Sequence, residues 1–283
     1  MIRLGAPIYG TYDSPDRWAE LVKHDGWAAA YCPLADGRDA ALVRAYARAA
    51  QKAGIVIAEV GVWNNPISRN EAERRKAIAV CQEKLALAEA IGATCCVNIA
   101  GSCNPDVWCG PHQENVSRET FDVIVQVTRE IIDAVRPTRT FYTLEAMPWV
   151  HPDSVDGYAA ILRAVDRPAF AVHLDPVNFV TSPRIYFDTA ALLADCFRKL
   201  GPYIKSCHAK DILLREKPVS VMFDEVRPGL GVLDYAAFLR GLAGLGREVP
   251  LMLEHLSSRE EYRLAGEYIC AKAGEAGVEL TTR

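Results

Sequence analysis

The sequence predicts one (β/α)₈ (TIM) barrel in a single α/β domain, and three observations predict it. Eight short apolar runs recur along the 283 residues, each followed by a segment with helical patterning. The runs are nearly continuous in apolar character rather than alternating, as expected of parallel strands covered on both faces. Finally, Gly5-Ala6-Pro7-Ile8-Tyr9-Gly10 lacks the spacing of the phosphate-binding glycine loop that usually follows the first strand of an open doubly wound sheet. The length suits one barrel, which takes about 250 residues, and no repeat or Gly/Ser linker divides 1–283.

The expected strands are Ile2–Gly5, Trp27–Cys32, Val56–Gly61, Cys95–Gly101, Phe141–Ala146, Phe170–Asp175, Ile204–Asp211 and Pro250–Leu256. Helix punctuation lies between them. Ser14-Pro15 places an N-cap before a proline at the first helical position. Ser68-Arg69-Asn70-Glu71 and Ser257-Ser258-Arg259-Glu260 have capping-box spacing. Gly54 and Gly92 are expected helix stops.

Composition narrows the function. Half the residues are hydrophobic and 24% charged, with a net charge of −4, and basic residues are scattered among acids. A nucleic-acid partner would need a clustered basic footprint, so none is expected. No run approaches the roughly 18 apolar residues of a membrane span, and the N-terminal residues lack the apolar core of a signal peptide. Nine cysteines lie in apolar runs as often as in loops, which fits reduced thiols in a cytoplasm better than a disulfide framework. Cys103 and Cys109 lack the close pairing of a structural zinc site.

Active sites of such barrels form at the C-terminal ends of the strands. The last four expected strands carry Glu145, Asp175, His208 and Glu254 at or near their ends, each straight after hydrophobic residues. A lone acid at a strand end is ordinarily a helix cap or a salt-bridge partner. Four such groups on neighbouring strands are different, because three carboxylates brought to one barrel mouth would repel and be desolvated together. A shared divalent cation removes that conflict. The mostly oxygen donor set suits Mn2+ first, with Mg2+, Co2+ or Zn2+ as alternatives.

Strand alternation puts His173 on the face of Asp175, and Ser206, His208 and Lys210 on a common face, whereas Asp211 and His255 are expected to point away or cap. His173 and Lys210 are therefore candidate substrate contacts, each weighed against a purely structural hydrogen bond or salt bridge. Trp63, Trp108 and Trp149 follow the third, fourth and fifth strands and are candidates for an apolar sugar platform. Trp149 is favoured because it closely follows Glu145. Arg215 and Arg227 are read as surface salt-bridge partners before anion ligands.

Together, Thr143-Leu144-Glu145, His173-Leu174-Asp175-Pro176-Val177-Asn178, His208-Ala209-Lys210-Asp211, Pro228-Gly229-Leu230-Gly231-Val232-Leu233-Asp234-Tyr235 and Leu253-Glu254-His255 resemble the xylose-isomerase-like barrels. That group of sugar phosphate isomerases and epimerases includes ketose 3-epimerases, inosose dehydratases and endonuclease IV. The resemblance spans essentially the whole chain. It implies Glu145, Asp175, His208 and Glu254 as metal ligands and Glu145 and Glu254 as the proton-transfer pair. Asn178 stands where ketose 3-epimerases often have a histidine, which bears on substrate recognition. The resemblance also implies a small sugar substrate and a homo-oligomer, a dimer or tetramer.

The implied reaction is removal of a proton beside a carbonyl of a ketose or keto-sugar, through an enediolate stabilised by the cation. Return of the proton makes an isomerase or epimerase. Loss of a β-substituent makes a lyase or dehydratase acting on a keto-sugar, inosose or 3-keto-glycoside. Two other classes are a sugar-binding barrel without catalysis and a DNA-repair nuclease. Endonuclease IV needs further histidines on earlier strands, where this chain has Glu59-Val60-Gly61 and Val97-Asn98-Ile99.

Overall fold

The computed structural model of the protein describes residues 1–216 and 220–282. Its strands are β1 Ile2–Gly5, β2 Ala29–Tyr31, β3 Val56–Gly61, β4 Cys95–Ile99, β5 Phe141–Glu145, β6 Phe170–Leu174, β7 Ile204–Ala209, β8 Asp211–Leu214, β9 Phe223–Val226, β10 Val249–Leu253 and β11 Leu280–Thr281. Its α-helices are α1 Pro15–His24, α2 Ala40–Ala53, α3 Glu71–Ile91, α4 Arg118–Val135, α5 Val155–Val165, α6 Pro183–Tyr186, α7 Thr189–Leu200, α8 Tyr235–Gly244 and α9 Arg259–Ala276.

The barrel is closed by β1 through β7 and β10, each parallel to its neighbours, with β10 returning to β1. The predicted fold is the observed one. Side chains from alternate positions of every strand fill the interior, and apolar helix faces cover the outside. Among the described residues, no helix is long and apolar enough to cross a membrane. No disulfide joins the nine cysteines.

Several expected boundaries shift. The seventh strand ends at Ala209 rather than Asp211, and Asp211 opens an antiparallel hairpin, β8–β9, where the sequence reads as a loop. The side chain of Asp211 explains the break. Its Oδ1 accepts from the backbone N–H of Ile212 and Leu233, and its Oδ2 from Gly229 and Gly231, at 2.9–3.1 Å. A Cβ on Gly231 would lie 2.3 Å from Asp211 Oδ1, so only glycine lets that loop close on the carboxylate. The cap of α3 is Asn70 rather than Ser68, and that of α9 is Ser258 rather than Ser257. Ser14, Gly54 and Gly92 serve as expected.

One surface carboxylate holds the approach to β5. From α3, Glu89 accepts from Thr138 Oγ1 at 2.8 Å and from the backbone N–H of Arg139 and Thr140 at 3.0 and 3.1 Å. Burial opposes its ionisation, but those donors outweigh it and pull Glu89 from 4.5 down to about 2. A depressed carboxyl contributes stability that is complete above its unfolded value and is lost as pH falls towards the folded one. Glu89→Gln is therefore expected to cost about 1 kcal/mol at pH 7, after allowance for its partial exposure. The gap between variant and wild type in urea unfolding should narrow between pH 4.5 and pH 2; a gap independent of pH would refute the assignment.

Candidate metal centre

The centre is built by strand register. Glu145 pairs in register with His173, His208 with Met252, and Ala209 with Leu253, so the ends of β5, β6, β7 and β10 reach the barrel mouth at nearly one level. Tyr158 of α5 is fully buried, and its hydroxyl meets Leu144 O and Ala171 O, which locks β5 to β6 one residue before Glu145. Tyr235 Oη donates to Lys210 O at 2.8 Å, fixing the chain just beyond β7.

Glu145, Asp175, His208 and Glu254 converge, each offering one donor atom, with those atoms all within 4.8 Å of one another. His208 Nδ1 lies 2.8 Å from Glu254 Oε1, 3.4 Å from Glu145 Oε1 and 4.0 Å from Asp175 Oδ2. Asp175 is anchored by the Val177 N–H at 3.0 Å. Lys210 Nζ sits 2.5 Å from Glu254, 2.9 Å from Asp175, 3.4 Å from Glu225 and 3.5 Å from Glu145.

These groups fit a divalent cation. With donors about 2.1 Å from an ion, two ligands stand at most about 4.2 Å apart, so only small adjustments are needed. Glu254 Oε1 is buried, and although close to His208 and Lys210 it has no donor in hydrogen-bond geometry.

Electrostatics follows from this crowding. Burial alone would raise Glu145, but His208 and Lys210 outweigh it and hold the carboxyl well below its usual range. Glu254 is held at about 2, burial being overcome chiefly by His208. Asp175 is pushed up to about 7 by burial, with Lys210 opposing and Glu145 adding to it. Burial disfavours the His208 cation, yet Glu254, Glu59 and Glu145 outweigh it and favour positive charge on the ring. The pocket thus selects cations, and proton and metal ion compete for Nδ1.

The other sequence-predicted residues are placed as follows. Asn178 donates to Glu145 Oε1 at 2.9 Å and to Asp175 Oδ2 at 3.3 Å, so it braces two of the converging carboxylates. His173 is wholly buried beneath His208, ring centroids 4.0 Å apart, away from solvent. Trp149 Nε1 donates to Cys109 O at 2.7 Å, tying two mouth loops together, and Trp108 is 41% exposed on the loop after β4. Trp63 and Glu59 help to line a cavity of about 240 Å³ beside β3. Arg215 and Arg227 are engaged by Asp224 and Glu261. His255 turns outward to Glu225 at 2.9 Å. Sequence reasoning assigned no role to Glu59, which is buried against His208, or to Glu225, which reaches Lys210 from the hairpin.

A family model described as xylose isomerase-like TIM barrel matches residues 18–272. The chain belongs to that family. Solved structures share its fold at low identity. The structure of an L-ribulose 3-epimerase has a TM-score of 0.72 at 14% identity, covering 98% of this chain and 96% of its own. A xylose isomerase-like TIM barrel protein from Mycobacterium smegmatis, solved in complex with magnesium, has a TM-score of 0.67 at 19% identity, covering 97% of each chain. A probable 3-DHS dehydratase from Bacillus anthracis has a TM-score of 0.67 at 15% identity, covering 92% of this chain and 94% of its own. No curated protein sequence matches significantly.

Proposed function

We propose that this family member is a divalent-cation-dependent enzyme that moves a proton at a carbon beside the carbonyl of a small sugar, epimerising or isomerising it. The observation that carries this reading is the pair Glu145 and Glu254, ionised side chains facing one another across His208. Their strands are separated in the barrel by β6 and β7, so the two groups approach a bound carbon from different sides. Glu145, Asp175, His208 and Glu254 would hold the cation, whose chemistry is to polarise the substrate carbonyl and make the neighbouring C–H acidic.

The chain's own groups do the rest. One glutamate takes the proton, and the other, when protonated, returns one to the opposite face. The returned proton comes from solvent, and Lys210 Nζ, 2.5 Å from Glu254 and 3.5 Å from Glu145, favours the carboxylate form of both. Asn178 holds Glu145 and Asp175 in place, and Trp108 and Trp149, on the loops after β4 and β5, are our candidates for the apolar surface that a sugar would stack on. Elimination is the second reading, favoured by the likeness to the dehydratase, and it shares the first proton removal.

The test is incubation with Mn2+ in D2O against a panel of ketoses, 3-keto-glycosides and inososes, followed by NMR. Deuterium at an inverted or relocated centre supports the proposal, and an unsaturated product redirects it to elimination. Absence of exchange at any α-carbon across the panel, in protein shown to hold the ion, would refute it.

A further inference from the structure

Glu59 lies inside the barrel on β3, in the middle of the apolar run Val56-Ile57-Ala58-Glu59-Val60-Gly61, and is 1% exposed. A buried carboxylate is costly unless something there requires it. Its two oxygens point at one neighbourhood. Oε1 is 3.1 Å from His208 Nε2, and Oε2 accepts from Ser206 Oγ at 3.2 Å and lies 3.4 Å from His173 Nδ1. His208 is therefore held from both sides: Nδ1 faces Glu145, Asp175 and Glu254, while Nε2 faces Glu59.

An imidazole coordinates through a lone pair, so a cation at Nδ1 requires the ring proton on Nε2. The geometry points to Glu59 as a positioning residue that accepts the Nε2–H of His208, fixing the tautomer and ring angle that present Nδ1 to the cation. Ser206 fixes Glu59 in turn, and His173 fills the space beneath, edge to face with the His208 ring. Partners of this kind on metal-bound histidines govern metal affinity by about 10–100-fold. The inference rests on the metal-centre reading and adds a residue from a strand outside the four ligand-bearing strands.

The experiment is Mn2+ titration by EPR of wild type, Glu59→Gln and Glu59→Leu, with the melting temperature of each. Wild type should bind one ion per chain, Glu59→Gln about tenfold more weakly and Glu59→Leu about 100-fold more weakly. A merely structural role would lower the melting temperature and leave both affinities within twofold of wild type, which would overturn the inference. In ring-15N-histidine protein loaded with Zn2+, His208 should carry its proton on Nε2; coordination through Nε2 would also overturn it. Two ions per wild-type chain, one of them lost in Glu59→Leu, would make Glu59 a ligand instead and refute the assignment. No binding by wild type would fault the metal-centre reading itself, a result distinct from all of these.

Discussion

Glu145→Gln and Glu254→Gln are each expected to lower turnover by about 10³-fold or more while the barrel stays folded. Each change keeps the side-chain shape and removes the charge that accepts a proton and helps to hold the cation. His208 and Lys210 hold both carboxylates ionised, so each change also weakens the buried network: circular dichroism should stay that of the wild type while the melting temperature falls by several degrees. Rates are to be followed by the same NMR exchange that identifies the substrate. Exchange at the wild-type rate in either variant would remove the proposed proton transfer.

The second large effect concerns Lys210. Its ammonium is almost fully buried and within 3.5 Å of Glu145, Asp175, Glu225 and Glu254. Removing one partner of a buried ionic network leaves uncompensated charge and costs about 3–5 kcal/mol. Lys210→Met, assayed by thermal unfolding in the presence of a chelator, is thus expected to melt roughly 6–15 °C below wild type. Excess Mn2+ should raise the variant's melting temperature more than wild type's, because the ion supplies part of the missing positive charge. Equal destabilisation with and without the ion would mean that Lys210 and the cation do not share one electrostatic pocket.

Much of the fold was legible because parallel strands covered on both faces are continuous apolar runs, and these can be found without knowing their partners. The four converging groups were legible for the same reason: each stands directly after such a run, where the barrel mouth must be. Same-face alternation likewise placed Ser206, His208 and Lys210 together in the interior. What could not be read is distance across the barrel. Glu59 and His208 are 149 residues apart, and nothing local to β3 names the partner. The signal that was present is a charged residue in an otherwise apolar strand. The hairpin escaped because Asp211 continues the apolar run of β7, while its role, to bind the loop at 229–233, appears only in three dimensions. The caps of α3 and α9 slipped because neighbouring polar residues satisfy the pattern in more than one frame.

The functional expectations depend on one ion being shared by four strands. The most direct test is a crystal grown with Mn2+ and measured at the manganese absorption edge. The account predicts one anomalous peak, roughly 2.1 Å from single oxygens of Glu145, Asp175 and Glu254 and from Nδ1 of His208. A fully occupied peak elsewhere, or ordered ligands closing on Lys210 with no peak between them, would contradict it.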